Sequence, residues 1–178
     1  MNKFFPALIV FMLFSCDGKT SQTETAPAVQ ISSEERQENI NEVLDEWHKA
    51  AAQADFEAYF SKMAENAIFI GTDPTENWMK PDFKNWAKPY FDRGKAWDFT
   101  SLERNIFFSE NQRTAWFDEL LETQMGLCRG SGVLTLENGE WKIRQYVLSI
   151  AVPNEEVSNL TELKNDFDQQ LILKLKTR

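Results

Sequence analysis

The amino-acid sequence predicts an α+β domain in which N-terminal helices pack on a strongly curved antiparallel sheet. Apolar residues recur at helical spacing through the first half of the chain, starting near Ser32. From Trp97 onward their period changes to two, which is typical of strands. Turn residues separate the strand segments, most clearly Asn138-Gly139, a two-residue hairpin signal of type I′. Helices followed by a meander of strands indicate a sheet with helices closing one face.

Three helices are predicted before the four-strand meander. Ser32 and Glu35 have the spacing of a capping box and mark the start of the first helix. Asp55 is the expected N-cap of a short second helix. The third begins near Pro81, whose fixed φ suits a first helical turn. Pro89 lies inside this third pattern, so we expect a kink or a break there.

The strands are predicted from short apolar runs and from alternation. Residues 67–70 form a buried strand that ends at Gly71. Four longer strands are expected near residues 97–108, 113–122, 128–137 and 140–150. Because the connections between these four are short, we expect an antiparallel meander.

The N-terminus predicts export. Residues 1–15 are interpreted as a signal peptide, because the apolar run is too short to span a bilayer as a helix. Leu13-Phe14-Ser15-Cys16 resembles the lipobox of bacterial lipoproteins. That resemblance implies a lipid on Cys16 and a location in the cell envelope, membrane-anchored on the periplasmic or cell-surface side. The alternative is an ordinary signal peptide whose cysteine is incidental.

The mature chain is predicted to have three parts. Residues 16–31 are rich in Thr, Ser, Ala, Gln and Pro and are expected to form a flexible tether. Residues 32–153 form the folded domain. Residues 154–178 form a C-terminal helical extension, which we expect to pack on the domain or on a second subunit. Its apolar residues at helical spacing are Leu160, Leu163, Phe167 and Leu171.

Composition argues against several classes of partner. Twenty-eight acidic residues against 19 Lys and Arg give a formal net charge of −9, which disfavours nucleic-acid binding. If Cys16 is acylated, Cys128 is the only thiol left and no intramolecular disulfide can form. His48 is the sole histidine, and we expect it to be a half-buried packing residue. No metal-ligand cluster or phosphate-binding loop is found, so neither a metal nor another cofactor is predicted.

Four short motifs carry a family resemblance. They are Phe69-Ile70-Gly71-Thr72-Asp73, Ala115-Trp116-Phe117-Asp118-Glu119, Arg129-Gly130-Ser131-Gly132-Val133 and Trp141-Lys142-Ile143. In this order they resemble the SnoaL-like branch of the nuclear transport factor 2-like superfamily, over roughly residues 34–154. The resemblance implies a cone, a bent sheet wrapped around helices and open at one end into a pocket. The family includes isomerase-like, dehydratase-like, cyclase-like and hydrolase-like enzymes as well as members without known catalysis, so the chemistry stays open.

The Asn138-Gly139 turn predicts which residues share the inner face of the sheet. It places Gly132 opposite Gln145 and Gly130 opposite Val147. The two glycines would then leave empty volume inside the cone, with Gln145 as the polar group facing it. The alternative is that the glycines merely allow the strand to bend.

The same alternation predicts the surroundings of two charged residues. Arg129 and Ser131 face outward, unless a β-bulge between Ser131 and the turn reverses their placement. Glu119 shares the more apolar face of its strand, so burial would raise the pKa of its carboxyl unless a cation such as Arg129 compensates. A structural ion pair is preferred over a catalytic one here.

The first functional hypothesis is a binding module held at the membrane. Its cone would hold a small, partly apolar molecule, and the candidate ligand-binding residues are Tyr59, Trp78, Trp116, Arg129 and Gln145.

Two other functions stay open. A lyase, isomerase or hydrolase would use Glu119 or Asp118 as the base, with a polar pocket residue stabilising the developing charge. An assembly scaffold would form a homodimer through the convex face of the sheet, where Trp116 is expected.

Overall fold

The computed structural model describes residues 32–177. Residues 1–31 lie outside the described residues. They include the predicted signal peptide, Cys16 and the tether, so the predictions about these segments stay predictions. Within residues 32–177, no helix has both the length and the apolar character that crossing a bilayer requires.

Three helices precede the four-strand meander, as predicted. Helix α1 spans Ser33–Ala52, and the Ser32 side chain accepts a hydrogen bond of 3.1 Å from the Glu35 backbone N–H. Helix α2 spans Phe56–Ser61 and is capped by Asp55. Helix α3 spans Lys80–Asp92 and contains Pro89, so the helix does not end at this proline.

A six-stranded sheet follows the spatial order β2-β1-β6-β5-β4-β3. The strands are β1 (Met63–Ile70), β2 (Asn77–Met79), β3 (Phe99–Phe108), β4 (Thr114–Thr123), β5 (Gly126–Glu137) and β6 (Glu140–Ile150). Strands β3 to β6 form the predicted antiparallel meander. The sheet as a whole is mixed, because β1 pairs with β6 in parallel. The expectation of a wholly antiparallel sheet is corrected on this point.

The hairpin between β5 and β6 has the predicted turn. Asn138 and Gly139 have φ values of 51° and 88°, the left-handed conformations that a type I′ turn requires. Leu136 pairs with Trp141, as the two-residue loop predicts.

A β-bulge changes the register further along this hairpin. Leu134 pairs with Ile143, but the next residue of β5, Val133, pairs with Gln145. Arg144 is therefore an extra residue of β6, and every β6 residue beyond it is shifted by one.

The bulge decides which side chains face the helices. Gly132 pairs with Tyr146 and Gly130 pairs with Leu148, so the predicted pairings with Gln145 and Val147 are wrong. Tyr146 is fully buried, whereas Gln145 is only half-buried. Because the extra residue belongs to β6, the alternation of β5 is unbroken and Arg129 stays exposed.

Aromatic side chains fill the space between the helices and the inner face of the sheet. Those that are fully buried or nearly so include Trp47, Tyr59, Phe60, Phe83, Phe117 and Tyr146. Each large aromatic ring contributes several kcal/mol of burial free energy on the scale of about 25 cal/mol per Å². The core of the domain therefore lies inside the predicted cone.

The C-terminal extension forms a 3₁₀ turn over Asn154–Glu156 and then helix α4, Val157–Lys176. None of the residues of α4 is buried, and Leu163 is 84% exposed. Its apolar side chains are therefore not buried against the domain, and packing on a second subunit stays a prediction. Its other exposed apolar residues are Val157, Leu160, Phe167, Ile172, Leu173 and Leu175.

Candidate functional site

Within residues 32–177 the interior contains one buried carboxylate, Glu119, which is fully excluded from solvent. Its Oε1 atom accepts a hydrogen bond of 3.0 Å from the Tyr146 hydroxyl and lies 2.9 Å from His48 Nε2. Its Oε2 atom accepts from Arg104 Nε at 3.0 Å and lies 2.9 Å from Arg104 Nη2. Both oxygens are therefore satisfied, as a buried charge requires.

Strand alternation and the bulge bring these residues together. Glu119 lies on the inward row of β4, directly opposite Arg104 on β3 and Gly130 on β5. Tyr146 reaches the carboxylate from β6 because the bulge turns it inward. His48 comes from the buried stripe of α1.

Arg104 connects the sheet to helix α1. Its Nη1 atom donates to Asn41 Oδ1 at 3.1 Å, and its Nη2 atom lies 2.9 Å from Asp45 Oδ1. Asn41 and Asp45 are one helical turn apart, and His48 follows on the next turn. Three turns of α1 therefore contact the Arg104–Glu119 pair, which orients the helix on the sheet.

The surroundings of Glu119 set its protonation. Burial by itself raises the pKa of its carboxyl, but the hydrogen bond and charge of His48 and the Arg104 guanidinium outweigh this and lower the pKa. The pKa of Tyr146 is raised well above its usual range by burial and by the neighbouring Glu119 carboxylate. The arrangement therefore holds an ionised carboxylate next to a protonated tyrosine.

The compensating cation is Arg104 and not Arg129. Arg129 contacts Asp118 at 2.9 Å, and both side chains are on the outer face of the sheet, 51% and 35% exposed. Asp118 and Glu119, the two candidate bases, thus point to opposite faces, and each is paired with an arginine.

Gly130 and Gly132 make room for side chains and not for a cavity. A Cβ atom on Gly130 would lie 2.3 Å from the Tyr146 hydroxyl and 3.0 Å from Glu119 Oε1. A Cβ on Gly132 would lie 2.4 Å from the Gln145 carbonyl oxygen and 2.8 Å from the Phe117 ring. The predicted empty volume beside the glycines is wrong, because the carboxylate network and the core occupy it.

A cleft opens at one end of the sheet, where β1 and β6 end and β3 begins. Its volume is about 160 Å³, and three tryptophans line it: Trp78, Trp86 and Trp97. We call it the aromatic cleft. The other lining residues are Phe69, Gly71, Thr72, Glu76, Phe99, Gln124, Met125 and Leu148.

The tryptophans form a continuous apolar wall that reaches the surface. The rings of Trp78 and Trp86 stack with centroids 4.8 Å apart, and Trp97 lies 6.4 Å from Trp86. Trp86 is 38% exposed and Met125 is 36% exposed, so the cleft is open to solvent. Such a wall can accommodate a small apolar group.

The predicted ligand-binding residues fall in different places. Trp78 lines the aromatic cleft. Tyr59 is fully buried behind it, with its ring centroid 5.4 Å from that of Trp97, and burial raises its pKa well above the usual range. Trp116 and Arg129 lie on the outer face of the sheet. Gln145 is half-buried on β6, directly after the extra residue of the bulge. The fold therefore does not bring these five residues together.

Another, larger depression of the described surface is a different kind of site. It measures about 740 Å³ and adjoins Gly139 at the hairpin turn. Charged side chains cross it: Lys142 pairs with Glu140 at 2.7 Å, and Lys62 pairs with the neighbouring Glu46. Because these charges satisfy one another in water, we place the candidate site in the aromatic cleft.

Sequence reasoning missed three members of the buried network. Arg104 has the same strand parity as the half-buried Ile106 and Phe108, a signal that could have placed it inward. His48 was expected to be half-buried, but only 5% of it is exposed. Tyr146 could not have been found from strand alternation, because the bulge reverses the face on which its side chain lies.

Within residues 32–177, no group of three or more His, Cys, Asp or Glu side chains is arranged to hold a metal ion.

Comparison with solved structures defines the class of fold. A nuclear transport factor 2-like protein of unknown function from Pseudomonas putida KT2440 superposes with a TM-score of 0.58 at 12% identity, covering 71% of this chain and 93% of that one. A domain with a cystatin-like fold from Nostoc punctiforme PCC 73102 gives a TM-score of 0.58 at 16% identity, covering 83% of this chain and all of the other. A nuclear transport factor 2-like protein from Cytophaga hutchinsonii ATCC 33406 gives 0.55 at 17% identity, with coverages of 65% and 98%. At these identities the likeness establishes the conical fold alone.

The family model for the SnoaL-like domain matches residues 40–153, well over half of the chain. The chain therefore belongs to the SnoaL-like domain family, as the motif resemblance predicted. None of the curated proteins is significantly similar to it in sequence.

Proposed function

We propose that this chain is a lipid-anchored envelope protein whose SnoaL-like domain binds a small, largely apolar molecule in the aromatic cleft. The observation that supports this most directly is the wall formed by Trp78, Trp86 and Trp97 at an open end of the fold. Trp86 is exposed and Trp78 and Trp97 are half-buried, and aromatic surface left open in one concave site is typical of a ligand-binding site.

The size of the cleft limits what it can hold. Its volume of about 160 Å³ is close to that of an apolar cavity of roughly 150 Å³ that accepts benzene. The ligand, or the part of it that enters, is therefore about as large as one aromatic ring.

A binding experiment with a matched control tests this proposal. Benzyl alcohol is titrated into the isotopically labelled full-length protein, and the tryptophan indole signals are followed by NMR. Trp86→Ala removes a wall of the cleft and should weaken binding about tenfold or more. Trp116→Ala removes a similarly exposed tryptophan, 46% against 38%, from the outer face and should leave binding unchanged. Equal effects of the two substitutions would place the ligand elsewhere.

The membrane location rests on Cys16. We expect the wild-type chain to incorporate labelled fatty acid and to appear in the membrane fraction, and Cys16→Ala to lose both properties. Incorporation that survives this substitution would contradict the anchor.

Native mass spectrometry of protein purified from its source membrane would identify a retained ligand directly.

The outer face of the sheet favours a second role, homodimer assembly. Phe107, Trp116 and Val133 pair in one row across β3, β4 and β5. Phe107 and Trp116 are 49% and 46% exposed, and their rings stack with centroids 6.0 Å apart. An apolar row of this kind is suited to an interface between two copies. A monomer in sedimentation at micromolar concentration would oppose it.

The catalytic alternative has less support. Among residues 32–177, Glu119 is the only buried carboxylate, and its oxygens are occupied by Arg104, His48 and Tyr146. A lowered pKa makes it a weak base.

A further inference from the structure

We propose that Glu76 makes the aromatic cleft selective for a ligand that carries a protonated amine. This inference rests on the proposed function, since it names the chemical class of the ligand that the cleft would take. Among the described residues that line the cleft, Glu76 is the only charged one. All other side chains in contact with a ligand there would be apolar or neutral.

The backbone holds the Glu76 carboxylate against the wall of the cleft. A Cβ atom on Gly71, another lining residue, would lie only 2.1 Å from Glu76 Oε2. The carboxylate therefore occupies space that exists only because residue 71 is glycine. Glu76 also closes a short loop, because its backbone N–H donates to the Asp73 carbonyl at 2.9 Å and its carbonyl accepts from Gly71 at 3.1 Å.

The carboxylate has unused capacity to accept hydrogen bonds. Its Oε2 atom accepts from the Asp73 backbone N–H at 3.3 Å, a long contact. No lysine or arginine of residues 32–177 forms an ion pair with it, whereas Glu119 is fully paired. A carboxylate has about four acceptor positions, so most of those on Glu76 are free to receive the N–H groups of an ammonium ion.

The surroundings strengthen this preference. Glu76 is half-buried beside the tryptophan wall, where a charge interacts more strongly than it does in bulk water. The overall charge of −9 further attracts cations and repels anions. An apolar amine would place its ring against the tryptophans and its ammonium group at Glu76, and a carboxylic acid of the same size would be excluded.

A purely local role for Glu76, as an acceptor that closes the loop, makes a different prediction. Glu76→Gln keeps an acceptor oxygen for the Asp73 N–H and removes only the charge. If the loop contact were its whole role, the substitution would change no ligand affinity.

The test uses two ligands of nearly equal size, benzylamine and benzyl alcohol, at pH 7 on the full-length protein. We expect wild type to bind the protonated amine about tenfold more tightly than the alcohol, the scale of one charged hydrogen bond. Glu76→Gln should abolish that difference and leave the alcohol affinity within about twofold. Glu110→Gln removes the same charge from an exposed turn at the opposite end of the sheet and should preserve the difference.

The possible results separate the two proposals. Equal affinities of wild type for both ligands, or a preference that survives Glu76→Gln, would overturn the amine selectivity and leave the cleft as an apolar site. Failure of wild type to bind either compound would overturn the proposed function itself.

Discussion

Arg104 lies directly opposite Glu119 on neighbouring antiparallel strands, and its guanidinium holds the fully buried carboxylate through contacts of 2.9 and 3.0 Å. The same guanidinium contacts Asn41 and Asp45 on helix α1. The pair therefore joins two strands and a helix at one point inside the cone. Removing one member leaves the other charge buried, which costs more than the pair itself contributes.

Loss of the carboxylate should destabilise the fold strongly. We expect Glu119→Ala to lower the free energy of unfolding by about 3–5 kcal/mol, because His48 and Tyr146 lose their partner and Arg104 loses its buried one. Glu122→Ala, an exposed acid on the same strand, should change it by less than about 0.5 kcal/mol. Urea denaturation measures both. A loss below about 1 kcal/mol for Glu119→Ala would show that the network contributes little.

Stability should depend on acid pH through Glu119. Its folded-state pKa is lower than the ordinary value of 4.5, so the unfolded chain binds the proton more readily. The contribution is therefore fully present above about pH 4.5 and is lost as the pH falls from there through the folded-state pKa. Glu119→Gln should show a shallower decrease of unfolding free energy between pH 5 and pH 3, roughly the window of a carboxyl titration. Parallel curves for the two proteins would contradict this account.

Gly130 should not tolerate even a methyl group. A Cβ there would lie 2.3 Å from the Tyr146 hydroxyl, so Gly130→Ala should cost about 1–3 kcal/mol through overpacking. Tyr146→Phe removes the hydroxyl and should recover part of the loss when the two are combined. A double-mutant cycle on unfolding free energies measures the recovery. Strict additivity would mean that the hydroxyl is not the obstacle.

Helix α4 should contribute little to the stability of the cone. Leu163 is 84% exposed, so Leu163→Ala should change the free energy of unfolding by less than about 0.5 kcal/mol. Leu121→Ala, at a fully buried position of β4, should cost about 2–5 kcal/mol. A loss above about 1 kcal/mol for Leu163→Ala would indicate that α4 is covered in solution.

The helices and the hairpin turn could be predicted because their signals are local. Ser32 and Asp55 cap helices through contacts three residues away, and Asn138-Gly139 adopts the left-handed conformations of its turn type. The parallel pairing of β1 with β6 could not be predicted in this way, because it joins segments far apart in the chain.

The candidate site could be predicted only in part. Trp78, on strand β2, was identified as a candidate, but Trp86 lies on helix α3 and Trp97 on the loop before β3, and only the meeting of the three creates the cleft. Glu119 was correctly placed on the apolar side of its strand. Its partner Arg104 was missed because the sequence offered Arg129 as the nearer candidate, whereas the fold places Arg129 on the outer face beside Asp118.

The sequence by itself determined the order of the three N-terminal helices and the five longer strands and the position of the hairpin, since these follow from periodicity and from turn chemistry over a few residues. Its short motifs carried the resemblance to the family. Only the tertiary structure decided what lies inside the cone. One extra residue, Arg144, turns Tyr146 inward and Gln145 away, and Gly130 then accommodates the hydroxyl of Tyr146. The physical reason is that a bulge reverses the face of every residue beyond it, and its energy depends on packing between distant segments.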